Sequence, residues 1–139
     1  MTVLVTDTGF APDDWAHEFT PLDQLAANDA LPVVAVDLPS DAEPSDLEGR
    51  LDAIDLIRID FPSFADGRGF TIARRLRLMG YHGRLRAAGH VIADQYGMAR
   101  RSGFDEIEIN DDLASRQPED QWLARSNYKD TCYQSRLRA

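Results

Sequence analysis

The sequence predicts an α/β fold: one domain carrying a mostly parallel sheet of about four or five strands with crossover helices, resembling a partial (βα) barrel, with an N-terminal hairpin and a C-terminal docking tail. Three observations carry that prediction. Apolar runs bounded by turn residues recur at Val3 to Val5, Pro32 to Val36, Leu56 to Phe61, Leu85 to Ala88 and Phe104 to Ile109, with the length and flanks of strands. Segments with helical spacing, Pro44 to Leu51, Phe70 to Met79 and Ala93 to Ser102, separate the last four runs. No internal repeat or low-complexity linker divides the 139 residues, so the chain reads as a single domain with a core over 30–112 and a tail over 113–139.

Each element follows from its own residues. Val3 to Val5 runs into Asp7-Thr8-Gly9 and then FAPDDW, a turn between short extended pieces rather than a crossover helix, hence a hairpin. The run ending at Val36 is followed by the acidic, helically spaced Pro44 to Leu51, and Leu56 to Phe61 is the next strand. In the helix that begins at Phe70, residues Ile72, Ala73, Leu76 and Met79 share one stripe that should face the sheet, and Arg74 and Arg77 lie opposite as a candidate partner surface. Phe70 and Leu78 fall off that stripe. After Asn110 the chain turns polar, yet Trp122, Tyr128, Tyr133 and Leu137 are too apolar for a free tail, so part of it should dock on the body or on a partner. Four βα-type units fall short of the eight, in ~250 residues, that close a barrel. The sheet therefore stays open, is covered by the chain ends, or is completed by forming a homodimer.

Composition removes several function classes. A net charge of -9 repels polyanions and argues against nucleic-acid and anionic-membrane binding. No apolar run approaches the roughly 20 residues of a membrane helix, and the start MTVLVTDTGF has neither the basic beginning nor the cleavage signature of a signal peptide. A cytoplasmic location is the expectation. The single cysteine, Cys132, allows no intrachain disulfide and no thiolate-held iron–sulfur cluster within the chain, and it has no evident base beside it. His17, His82 and His90 show no metal-ligand spacing, so neither a metal nor a cofactor is expected. The motifs GxGxxG, GxxxxGK[ST], GxSxG and HExxH are all missing.

Charge is distributed unevenly. Between Gly67 and Ala93 there is no acid, while Arg68, Arg74, Arg75, Arg77, Arg84 and Arg86 all fall there; from Asp37 to Asp66 nine acids stand against Arg50 and Arg58. In parallel α/β sheets ligands gather beyond the carboxyl ends of the strands, which selects Asp37, Asp60, the 62–69 loop, Gly89, His90, Asn110 and Asp111. Gly67-Arg68-Gly69 precedes a helix, whose amides and positive end can receive an anion, with Arg68 adding a charged fork. The competing reading is that Asp66 caps this helix and occupies those donors itself. Asp94 is a candidate cap for the next helix, or a partner for His90. Asp37, Asp60 and Asp111 form a set that could bind a hard cation, but Asp after a strand is also a routine turn residue.

The stretches FPSFADGRGFTIARRLR and GRLRAAGHVIADQYGMARRSGFDEIEI resemble the bacterial family known as domain of unknown function 934, whose core reads F-P-x-F-x-D-G-R-G, then A-R-x-L-R, G-x-L-R-A-x-G, D-Q and R-x-G-F-D. The likeness is dense over residues 58–109 and looser at Asp13-Asp14-Trp15 and Tyr133-Gln134. One departure is His90, where many members have an acid. The resemblance implies a pathway, since members are typically encoded beside assimilatory sulfite reductase and are often labelled probable oxidoreductases involved in sulfite reduction.

Reduction of sulfite needs metal or flavin centres, for which this sequence shows no ligand pattern. Two readings follow. In the first the chain is an accessory protein that binds sulfite reductase or its electron-donor system through the arginine face or the aromatic tail and supports assembly, maturation or electron delivery. In the second, Gly67, Arg68, Gly69, Arg86 and His90 bind a small oxyanion such as sulfite, sulfate or phosphate, as a sensor or as an enzyme.

Overall fold

Seven strands form one sheet in a computed structural model that describes residues 2–15, 18–22 and 35–126. Strands β1 (Thr2–Thr6) and β2 (Gly9–Pro12) make the hairpin, and β3 (Thr20–Pro21), β4 (Ala35–Leu38), β5 (Leu56–Phe61), β6 (Arg84–Gly89) and β7 (Glu106–Asn110) follow. Their spatial order is β2-β1-β7-β6-β5-β4-β3. The five strands β3 to β7 are parallel neighbours in chain order, and β1 joins the far side antiparallel to β7, with Thr2 opposite Asn110. The sheet is open, not closed into a barrel. Its core lies within the expected α/β class, and the hairpin adds two strands to the parallel set.

Because the parallel strands succeed one another in a single direction, right-handed crossovers put the connections between β4 and β7 on the same face. That face carries Val36, Leu38, Ile57, Ile59, Phe61, Leu85, Ala87, Ile107 and Ile109, all buried in one continuous core. Helix α1 (Arg68–Leu78) covers it with Phe70, Ile72, Ala73 and Leu76, and α2 (Tyr96–Ser102) adds Tyr96 and Ala99. Phe70, expected off the sheet-facing stripe, is buried against Phe61 at 5.0 Å between ring centroids. Its position on the first turn of α1 lets it reach over the end of β5. Leu78 stays exposed.

The acidic segment before β5 is not a continuous helix. It forms two 3-10 turns, Pro44–Leu47 and Leu51–Ala53, separated at Gly49, whose φ of 85° is left-handed and incompatible with an ongoing right-handed helix. Beyond β7, α3 (Asp111–Arg116) is capped by Asn110, whose side chain accepts from the Leu113 amide at 2.8 Å. Helix α4 (Glu119–Leu123) buries Trp122 edge-on to Tyr96, and the Glu119 carboxylate accepts from the Phe10 amide of the hairpin at 2.8 Å. The chain up to residue 126 thus docks on the body. His17, the start of the Pro32 to Val36 run, and Tyr128, Cys132, Tyr133 and Leu137 lie outside the described residues.

Candidate functional site

The second face of the sheet is built differently. Alternation along the strands turns Asp37, Arg58, Asp60, Arg84, Arg86, Glu106 and Glu108 away from the helices. One register row runs Asp37, Arg58, Arg86 and Glu106 across four strands. Arg58 forks onto Asp37 through Nε and Nη2 at 2.6 and 2.8 Å, and its Nη1 reaches Glu108 at 3.2 Å. Burial pulls the Arg58 pKa down, but the hydrogen bonds to Asp37 and the charges of Asp37 and Glu108 outweigh it and hold the guanidinium above its ordinary value.

Arg86 has no solvent-exposed surface. Its Nε donates to Glu106 at 2.6 Å and its Nη1 to Glu108 at 2.9 Å and to Asp13 at 3.2 Å. Its Nη2 makes no hydrogen bond; the Asp14 carboxylate lies 3.8 Å away. Arg84 pairs with Glu106 at 2.7 Å and with Asp14 at 2.9 Å, and the hydrogen bond from Arg84 holds the Asp14 carboxyl below its ordinary range. The chain after the hairpin crosses this face and closes it with Phe19, whose ring lies 3.7 Å from the Arg58 guanidinium carbon and 5.9 Å from that of Arg86, a cation–π cover. Three arginines are therefore matched here by five carboxylates: Asp13, Asp14, Asp37, Glu106 and Glu108.

Next to this network, at the carboxyl ends of β3 to β6, lies a cleft of about 950 Å³. Strand order does not reverse in this sheet, so no switch-point crevice exists; the cleft arises between the sheet, the Pro21-Leu22 end of the crossing segment and the 39–46 loop. Among the described residues its polar lining is Asp37, Asp41, Glu43, Asp46, Asp60 and Glu108 with one cation, Arg58, and its apolar lining is Pro21, Leu22, Leu38, Pro39, Ala42 and Ala88. Among the described residues no hydrogen bond or ion pair engages the side chains of Asp41, Asp46 or Asp60. Nor do three acidic or histidine side chains converge so as to hold a metal ion.

The residues singled out for an oxyanion are not gathered in one place. Arg68 forks back onto Asp66 at 3.0 and 2.8 Å and donates to the Ser40 hydroxyl at 2.9 Å. The same Asp66 accepts from the Arg68 amide at 3.1 Å. These bonds from Arg68, side chain first, pull the Asp66 carboxyl down to about 2. Gly67 precedes α1 as its N-cap residue, and Gly69 packs so tightly on Phe61 that a Cβ would stand 2.5 Å from its ring. Arg86 sits mid-strand in the buried network. His90 is exposed after β6, with its amide donating to the Phe61 carbonyl at 2.9 Å and its ring edge-on to Phe64.

Two expectations are corrected. Asp94 caps no helix: the Ile92 amide donates to Gln95 at 3.0 Å and the Ala93 amide to Gln117 at 2.6 Å, while Asp94 pairs with Arg125 at 2.6 Å. The amide side chains reach these donors first, and Asp94 is left facing outward. Arg77 does not stand on an open helix face beside Arg74. It donates to the Gly103, Tyr81 and Gly83 carbonyls at 2.8–3.0 Å and pairs with Asp105 at 2.9 Å, tying the end of α1 to the turn after α2. Gly103, with φ of 118°, leaves room for it; a Cβ there would lie 2.6 Å from Arg77 Cγ. Arg74 alone remains exposed.

Sequence reasoning passed over Arg58, Glu106, Glu108, Asp13 and Asp14. A signal for the first three was present: R-I-D, R-L-R and E-I-E within apolar runs are charges with a period of two, which marks a second, polar sheet face. The model of a family described as a bacterial protein of unknown function (DUF934) matches residues 35–139. Comparison with curated proteins finds no match.

Proposed function

The chain belongs to the DUF934 family of bacterial proteins of unknown function, and from that premise we propose that it is an accessory protein of assimilatory sulfate and sulfite reduction, acting through protein contact on sulfite reductase or its electron supply. The pathway is what the genes that typically neighbour members of this family imply; the geometry supports the mode of action. The observation that carries it is the internal neutralisation of the arginines. Arg68 is forked on Asp66, and Arg84 and Arg86 are surrounded by Glu106, Glu108, Asp13 and Asp14. A sulfite or sulfate ion would have to displace a carboxylate at each of them, at a cost in broken charge-assisted hydrogen bonds.

Protein contact needs no such displacement. No helix among the described residues is long and apolar enough to cross a membrane, and the proposed pathway puts the protein in the cytoplasm. Deletion is expected to impair growth on sulfate and leave growth on cysteine intact. Sulfite reductase activity in extracts of the deletion strain should fall and recover when purified protein is added; normal activity with normal growth on sulfate refutes the assignment. The competing oxyanion site at Gly67-Arg68-Gly69 predicts that sulfite or sulfate raises the melting temperature of the wild type by mass action but not that of Arg68→Ala.

A further inference from the structure

Resting on the accessory reading, we propose that the cleft at the carboxyl ends of β3 to β6 is the seat for a basic side chain, lysine or arginine, presented by the partner protein. Charge complementarity selects that occupant. Among the described residues six carboxylates line the cleft against one arginine, and Arg58 already spends its donors on Asp37 and Glu108, so an anion entering the cleft meets no free cation among them. The side chains of Asp46 and Asp60 have no hydrogen-bonded or ion-paired partner among the described residues, and Asp41 has only the through-space attraction of Arg68. A concave surface with charge of one sign concentrates its field and draws the opposite charge.

The form of the cation follows from the rest of the lining. A metal ion needs three or more ligands converging on a point, and no such cluster is found among the described residues. Lysine and arginine instead combine a charged head with an aliphatic stem that covers apolar surface. Pro21, Leu22, Leu38, Pro39, Ala42 and Ala88 offer that surface, and about 950 Å³ has room for a whole side chain with its flanking backbone. Asp60, near the end of the middle parallel strand and next to the small residues Ala88 and Gly89 of β6, is the anchoring carboxylate.

The test uses a fluorescein-labelled tri-arginine peptide and the full-length protein, read by anisotropy at low salt. Asp60→Asn should weaken binding about fivefold, the loss of one charge-assisted contact, and Asp41→Asn with Asp60→Asn further still. Asp120→Asn on α4 makes the same change in net charge away from the cleft and should leave affinity unchanged. Asp60 makes no hydrogen bond to lose, so melting temperatures close to wild type will show that the variants are folded. Equal weakening by Asp60→Asn and Asp120→Asn, or binding that Asp60→Asn does not alter, overturns the proposal. Complementation separates it from the accessory reading. A deletion strain that grows normally on sulfate refutes the pathway whatever the peptide does, whereas a deletion defect fully rescued by Asp60→Asn keeps the pathway and refutes the cleft.

Discussion

The two faces of this sheet are made by the same strands and obey different physics. On the helix-covered face, Ile57, Ile59, Phe61, Leu85, Ala87 and Ile107 form an apolar core stabilised by the area it removes from water. On the other, Arg58, Arg84 and Arg86 are held among carboxylates under Phe19. Buried ion pairs contribute little net stability over a well-packed apolar alternative, but removing one member is costly because the other charge stays behind. The apolar face explains why the chain folds. The polar face does not need to be charged for that purpose, and it borders the cleft, which is why a functional reading belongs on that side.

The largest effects should be matched on the two faces. Phe61→Ala, which opens a cavity beneath Phe70 and Phe104, should cost about 3–5 kcal/mol. Arg86→Ala should cost about as much, 3–5 kcal/mol, for the opposite reason: five carboxylates are left with Arg58 and Arg84 alone, and Glu106 and Glu108 each lose one of their two cations. Urea denaturation of both variants checks this. A loss below about 1 kcal/mol for Arg86→Ala would mean that water enters the network freely and the comparison fails. Arg86→Lys keeps the charge and loses the planar fork, so it should fall between wild type and Arg86→Ala.

A smaller effect sharpens the contrast at its edge. Phe19→Ala removes the aromatic cover from Arg58 and should cost about 0.5–2 kcal/mol, and it should increase the salt dependence of stability, because the ion pairs beneath become solvated and screened. The smallest effect is at the exposed start of α1. The Asp66 carboxyl, drawn down to about 2 by Arg68, lies below its ordinary value of 3.8, so whatever stability it lends is present above that ordinary value and is lost as pH falls toward about 2. Carboxyl-carbon NMR should show a midpoint near that lower figure in the wild type and closer to the ordinary value in Arg68→Ala.

The fold class was legible because it is written locally. Apolar runs, turn residues and helical stripes alternate within each βα unit, and periodicity reports them without knowledge of the rest. The N-terminal turn at Asp7-Thr8 was legible for the same reason. Position within the sheet was not: nothing in Val3 to Val5 says that β1 will pair with β7, some hundred residues away. The carboxyl-end rule reached Asp37, Asp60 and Gly89, which line the cleft. It could not reach Asp13 and Asp14, whose pairing with Arg84 and Arg86 spans about seventy residues. Arg77 misled because a helical wheel describes one helix, and the carbonyls that hold it come from the turns around residues 81–83 and 103.

The pairing of Thr2 with Asn110 also sets when sheet neighbours become available to one another during synthesis. Strands β4 to β7 emerge in the sequence in which they line up, so each finds its neighbour already waiting. Strand β1 must wait for β7, which at about 5–20 residues per second is a delay of roughly five seconds or more. Until β7 appears, the hairpin has no sheet to join, and Asp13, Asp14 and Phe19 have no anchored hairpin from which to cross the arginines. A nascent chain of this protein therefore exposes its charged face before Asp13, Asp14 and Phe19 close over it.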